Sequence, residues 1–233
     1  MNFHKIFTKL KLEKKPNDRL FFDEIIGCEE IKRLFRMALD SAEPVHILLS
    51  GPPASAKTLF LQSLMTLKDS YFVDGSNTTK SGMIDYIFDN KPKYLLLDEI
   101  DKMASKDQAF LLNLMETGVL SETKHRKTRT ITNVKTWVFA TSNNVSCIML
   151  PLQSRFFVVN LEPYTYAQFY YIVVRLLTEQ YRVKEEIAKT VANAIWDKSA
   201  NIRDCMKIGR MAKSLEDVMF IVDNFLRHNQ AMV

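Results

Sequence analysis

Lys57 and Thr58 close an eight-residue run, Gly51-Pro52-Pro53-Ala54-Ser55-Ala56-Lys57-Thr58, between a strand pattern at Val45 to Leu49 and a helix pattern at Leu59 to Leu67. A tight loop between strand and helix aims backbone N–H groups and the positive helix end at one point, which suits a polyphosphate. There the Lys57 ammonium would reach the terminal phosphates and the Thr58 hydroxyl would ligate magnesium. The match to G-x-x-x-x-G-K-[ST] is imperfect, because Ala56 stands at the second glycine. Ala54 takes another position that is often glycine, and alanine carries a steric cost wherever a loop needs positive φ. On the loop alone, an ordinary β–α turn ending in Lys-Thr is the alternative.

A second constellation decides between them. Tyr94-Leu95-Leu96-Leu97-Asp98-Glu99 is four apolar residues ending in two acids, 41 residues after Lys57 with one strand–helix unit between. The acids fall where a parallel strand opens into a ligand crevice. A magnesium nucleotide needs a carboxylate near the metal, here Asp98, and hydrolysis needs a base to orient water, here Glu99. The cofactors expected are ATP and Mg2+.

These residues need a parallel sheet to hold them. Short apolar runs alternate with helical ones: Val45 to Leu49 and Leu59 to Leu67, Tyr71 to Val73 and Met83 to Phe88, Tyr94 to Leu97 and Ala109 to Met115, then Trp137 to Ala140 and Phe156 to Leu161. Ahead of them, Ile31, Leu34, Phe35, Ala38 and Leu39 share one helix face. Alternation of this kind means crossover units, with helices on both faces of the sheet. After about residue 163 the strand signal stops. Thr165-x-x-Gln168 opens a helix with Phe169, Ile172, Val173, Leu176 and Leu177 inward, and further helical patterns follow to Phe225. Three segments are expected: a basic amphipathic leader at 1–20, an α/β nucleotide-binding core at 21–163, and a helical lid at 164–233.

Composition fits that division. With 233 residues, 47% hydrophobic and 25% charged, the chain can bury a core without disulfides. No apolar run approaches the ~20 residues of a membrane span, and three scattered cysteines read as reduced thiols of a cytoplasmic protein. The four histidines share no metal-ligand spacing with them. The net charge of +5 is uneven. Residues 1–20 hold six Lys/Arg against two acids, and residues 121–135 hold five against one, so each segment nets +4 and the remainder about −3.

The ordered motifs resemble the AAA+ superfamily of P-loop ATPases, from about Phe22 to Phe225. Phe22-Asp23-Glu24-Ile25-Ile26-Gly27 resembles the segment packed near adenine, so the resemblance makes Ile26 and Gly27 nucleotide contacts beside Gly51 to Thr58, Leu59 and Asp98. Val138 to Asn143 resembles the sensor 1 strand, with Asn143 between the acids and the γ-phosphate. Leu152-Gln153-Ser154-Arg155-Phe156 resembles the stretch with the arginine finger, which reaches a neighbouring subunit's ATP. Asn201-Ile202-Arg203-Asp204 resembles sensor 2, with Arg203 facing the phosphates. Within the superfamily the chain is similar to small archaeal-type ATPases and RuvB-like branch-migration motors. The resemblance implies a homo-oligomeric ring, such as a hexamer, assembled with ATP and served by a protein loader or adaptor.

Its substrate is read from two loops. Leu120 to Thr123 and Thr130 to Val134 would pair as a hairpin, with Lys124, Arg126, Lys127 and Arg129 at its tip. DNA motors of the superfamily often present such a loop to the pore, and a ring of basic tips would grip a phosphate backbone without sequence preference. Polypeptide threading is the rival, but protein-remodelling members carry an aromatic-hydrophobic pair after the second core strand. Asp74 to Ser81 has no aromatic. The alanines of the loop motivate a third reading, an ATP-bound scaffold with little turnover. The leader has three uses: lying on an anionic membrane, docking a partner helix, or packing on its own domain.

Overall fold

The computed structural model describes Phe22 and residues 25–53, 55–77, 80–124 and 127–229. The leader and Ala54 and Arg126 therefore lie outside the described residues. The chain divides into two compact units, Met1–Glu162 and Pro163–Val233.

The first unit is built on a five-stranded parallel sheet. Its strands are β1 (Ile47–Ser50), β2 (Ser70–Asp74), β3 (Tyr94–Asp98), β6 (Trp137–Ser142) and β7 (Phe157–Asn160), in the order β2-β3-β6-β1-β7. The helices are α1 (Glu29–Asp40), α2 (Lys57–Leu64), α3 (Lys80–Asn90), α4 (Ser105–Thr117) and the short α5 (Leu150–Gln153). Central strands covered on both faces must be apolar at every position, and β1, β3 and β6 are buried almost throughout. Alternate residues serve opposite layers. Leu48, Leu95, Leu97, Val138 and Ala140 join a core with Ile84, Ile87, Phe110, Leu111 and Leu114 from α3 and α4. Phe139 faces the other way and stacks on Phe35 of α1, whose ring also meets Phe22 and Phe60. The boundaries move by a few residues from the sequence pattern. Val45 is exposed and precedes β1, while the helix after the loop begins at Lys57 rather than Leu59.

Between α4 and β6 the chain makes an antiparallel hairpin, β4 (Leu120–Lys124) and β5 (Lys127–Ile131), with Lys124 opposite Lys127 in the last pair. A hairpin is therefore present where one is expected, but its second strand runs from Lys127 to Ile131 rather than from Thr130 to Val134, and His125 and Arg126 lie outside the described residues. Gly118 caps α4 in the left-handed conformation at φ 62° and its carbonyl accepts the Val134 N–H, closing the base.

The second unit is helical. α6 (Tyr166–Arg175) runs on through a π turn at Leu176–Gln180 and is followed by α7 (Glu185–Trp196), α8 (Ile202–Met211) and α9 (Leu215–Asn229). Thr165 and Gln168 form the expected capping box, and Asn201 caps α8 by accepting the Arg203 N–H. Phe169, Val173, Leu177, Ile187, Val191, Ile195, Ile208, Val218 and Val222 form its core.

Candidate functional site

Gly51 leaves β1 at φ 157°, and a Cβ there would sit 2.6 Å from the Leu161 carbonyl oxygen. Only glycine lets the loop start this close to the chain leaving β7. Lys57 opens α2 and is only 5% exposed. A buried ammonium needs acceptors, and the loop supplies them: the Gly51 carbonyl at 2.8 Å, the Pro52 carbonyl at 2.6 Å and Ser55 Oγ at 3.0 Å. Ser55 Oγ in turn donates to the Pro52 carbonyl. The loop thus holds one cation beneath its own rim. The strain anticipated for alanine does not arise at Ala56, which has φ −64° and is buried before Lys57. Pro52, Pro53 and Leu59 are exposed around the loop.

The acids of β3 lie across from it. Thr58 Oγ1 donates to Asp98 Oδ1 at 3.4 Å, and Thr141 Oγ1 at the end of β6 donates to the same oxygen. The Glu99 N–H then donates to Thr141 Oγ1 at 2.9 Å. Thr58 and Asp98 make a pair of hard oxygen donors that fits magnesium, which takes one or two protein ligands and keeps its waters. Glu99 turns out of β3 in the left-handed conformation at φ 53°. Both of its carboxylate oxygens are held, Oε1 by Asn143 Nδ2 and Oε2 by Ser76 Oγ, each at 3.2 Å. Asn143 is anchored through its own N–H to Asp101 Oδ1.

Gly75 makes that approach possible. Its N–H donates to the Asp98 carbonyl at 2.8 Å, and a Cβ would lie 2.4 Å from the Glu99 carbonyl oxygen. Asp74 then orders the turn, its Oδ1 accepting the Ser76 N–H and its Oδ2 the Asn77 side chain. These bonds hold the Asp74 carboxyl below its usual range, the Ser76 N–H contributing most.

Lys57, Thr58, Asp98, Glu99 and Asn143 thus share one end of the sheet. Ser76 and Thr141 complete the cluster and were not singled out from sequence. Thr141 stands inside the sensor-like run, and the Leu97–Ala140 register puts it beside Asp98, so choosing Asn143 alone passed it over. Ser76 shows no periodic or motif signal.

The remaining expected residues are not part of these hydrogen-bond contacts. Half-buried Ile26 and Gly27, at φ 72°, form the turn before α1. Arg155 follows α5, is exposed, and pairs with Glu116 near the end of α4. Arg203 lies in the second unit, exposed in the first turn of α8. Arg129 departs from the tip assignment. It sits opposite Glu122, two pairs back from the turn, pairs with Asp85 of α3 and lies 4.9 Å from the Phe88 ring centre. It ties the hairpin stem to α3, which leaves Lys124 and Lys127 flanking the turn.

The family model described as ATPase family associated with various cellular activities (AAA) matches residues 47–164, half of the chain. Replication factor C small subunit 2 of Pyrobaculum islandicum is 26% identical over 159 residues, 61% of this chain and 45% of that protein. Its counterpart in Pyrobaculum aerophilum is likewise 26% identical, over 46% of that protein. The chain spans about half the length of these curated relatives. Among solved structures, a variant of Thermotoga maritima RuvB aligns with a TM-score of 0.67 at 18% identity, over 87% of this chain and 71% of that one. The Thermotoga maritima RuvB Holliday junction branch migration motor aligns at 0.63 and 19%, over 87% and 72%. The chain belongs to the AAA family of ATPases, and its fold is the RuvB-like one.

Proposed function

We propose that this AAA family member binds and hydrolyses Mg-ATP between subunits of a homo-oligomeric ring, and uses the cycle to act on DNA in the cytoplasm. The observation that carries the chemistry is the doubly held Glu99 carboxylate beside the Thr58–Asp98 pair. Bound Mg-ATP supplies the reactive phosphoryl group and the metal that neutralises its charge. In this reading the chain's own residues do the rest. Thr58 and Asp98 offer oxygen ligands, and Lys57 exchanges its loop acceptors for phosphate oxygens. Glu99 orients water, with Asn143 and Ser76 fixing the direction of its lone pairs. Gly51 to Thr58 and Leu59 cradle the polyphosphate, Ile26 and Gly27 border the adenine, and Arg203 reaches the phosphates from the lid. Arg155 serves the neighbouring subunit.

DNA as the substrate draws on the pairing of Lys124 with Lys127 at the end of the hairpin, and on the names of the relatives, a replication factor C subunit and a Holliday junction motor. One assay tests it: ATP turnover alone, with duplex or junction DNA, and with an unfolded protein. DNA should raise turnover several-fold. Stimulation by the unfolded protein instead makes the chain a remodelling ATPase, and no turnover under any condition makes it an ATP-bound scaffold.

A further inference from the structure

Two linear segments carry the +5 net charge, yet folding gathers a further positive cluster that no single stretch of sequence displays. In the second unit a cleft of about 400 Å³ is lined by Arg182 and Lys184, beside Tyr181 in the linker after the π turn, and by Arg210 and Lys213, beside Gly209 at the end of α8. The two halves lie more than twenty residues apart in the chain. No Asp or Glu is among the lining residues.

Local structure brings the halves together. The π turn at Leu176–Gln180 widens the end of α6, and the Val183 N–H returns to the Leu177 carbonyl at 2.9 Å. Between them Arg182 takes φ 54°, a left-handed residue that reverses the chain and presents the 181–184 linker to α8. On the facing side, a Cβ at Gly209 would lie 2.3 Å from Leu177 Cδ2, so glycine is what lets α8 pack this closely. Arg210 is then positioned by Tyr181, its Nη2 donating to the phenol oxygen at 2.6 Å and its guanidinium lying 4.6 Å from the ring centre. Of the acids that adjoin these segments in sequence, one is engaged by another lysine and one stands at the backbone of Lys213. Glu185 pairs with Lys189, and Asp217 accepts the backbone N–H groups of Lys213 and Ser214.

All four cations are exposed. A compact free anion would gain little from charges that remain in water, because each exposed pair is worth under about 1 kcal/mol. A polymer with a charge every few ångströms engages several at once and releases counterions from each. The geometry points to a phosphodiester-binding cleft in the helical unit, formed by Arg182, Lys184, Arg210 and Lys213, that takes the backbone of a nucleic acid. It is separate from the hairpin turn, and it rests on the DNA reading only for the identity of its polymer.

Equilibrium binding of a short fluorescent duplex across a salt series tests this on the whole chain. Arg182→Ala/Lys213→Ala should weaken binding several-fold at low salt and flatten the slope of log affinity against log salt by about 2, since each lost phosphate contact removes roughly 0.9. Lys189→Ala/Lys198→Ala removes two lid cations that already have acid partners and should keep the wild-type slope. A cleft variant that matches wild type or this control overturns the proposal, as does a wild-type chain that binds no duplex. Displacement of the duplex by micromolar tripolyphosphate at matched ionic strength assigns the cleft to a compact anion and overturns the backbone assignment. ATP turnover read in the same samples separates the two ideas. Turnover indifferent to DNA, with the cleft's salt slope intact, sinks the motor reading and leaves the cleft standing.

Discussion

At the scale of single residues, the site depends on side chains that hold other side chains. Thr141 is the clearest case, because its hydroxyl donates to Asp98 and accepts the Glu99 N–H. Replacing it by valine keeps the volume but leaves both partners short of a bond. Loss of an outer-shell partner typically costs 10–100-fold in metal affinity. Thr141→Val should therefore raise the magnesium concentration needed for half-maximal ATP turnover by about that factor, with the fold intact by circular dichroism; an unchanged magnesium curve removes Thr141 from the site. His46 makes a different prediction. It is buried ahead of β1 with Nδ1 accepting the Val138 N–H, and burial lowers its pKa from 6.5 to about 4, a backbone bond to Met115 offsetting this only in part. A base with a depressed folded pKa resists protonation. The stability it protects is complete above about pH 6.5 and drains as pH falls towards 4. The full drop is about 3 kcal/mol at 1.36 kcal/mol per pKa unit. Urea unfolding between pH 7 and 4.5 should show that decline in wild type and a shallower one in His46→Asn, and parallel declines would acquit the imidazole.

At the scale of elements, legibility followed periodicity. Strands β1, β3 and β6 were readable because burial on both faces forces continuous apolar runs, Asp98 because it ends one of them, and Lys57 because it closes the loop motif that follows another. The loop after β2 was not, since Ser76 meets Glu99 only through a turn whose shape no local pattern announces. Arg129 was misplaced for a related reason. The sequence places four cations at a hairpin tip, whereas strand register decides which of them flank the turn and which reach back to α3. Gly75 exposes this coupling to experiment. A Cβ there would press on the Glu99 carbonyl oxygen, which is backbone and cannot rotate away. Gly75→Ala should push the Glu99 turn off its position and cut the rate of ATP cleavage by at least tenfold. ATP affinity should change far less, because the loop around Lys57 is untouched. Equal losses in binding and rate would mean that β2 supports the whole nucleotide site rather than the attacking geometry.

At the scale of the whole molecule, what matters is where each half of the chemistry resides. Arg155 is partnered by Glu116 on α4, whereas Lys57, Thr58, Asp98, Glu99 and Asn143 are linked among themselves or through their own loop. Under the proposed function, one chain would carry a phosphate site and, bonded to a different helix, an arginine that serves a neighbour's site. An arginine that stabilises the charge of phosphoryl transfer is worth about 10³ or more in rate. Arg155→Ala should thus bind ATP normally and turn over about a thousandfold more slowly, yet an intramolecular role predicts the same defect. Mixing resolves the ambiguity. A Lys57→Ala chain lacks a competent phosphate site but keeps its arginine, and an Arg155→Ala chain has the reverse deficiency. If Arg155 works across an interface, the two inactive chains together should recover activity, rising with total concentration as mixed interfaces form and peaking near equal amounts. If each arginine served its own chain, no ratio would restore turnover, because no chain in the mixture holds both parts. Sedimentation of the same mixture in ATP supplies the control. Co-assembly without recovered turnover excludes the trans arginine, and a ring of interdependent sites would no longer describe this protein.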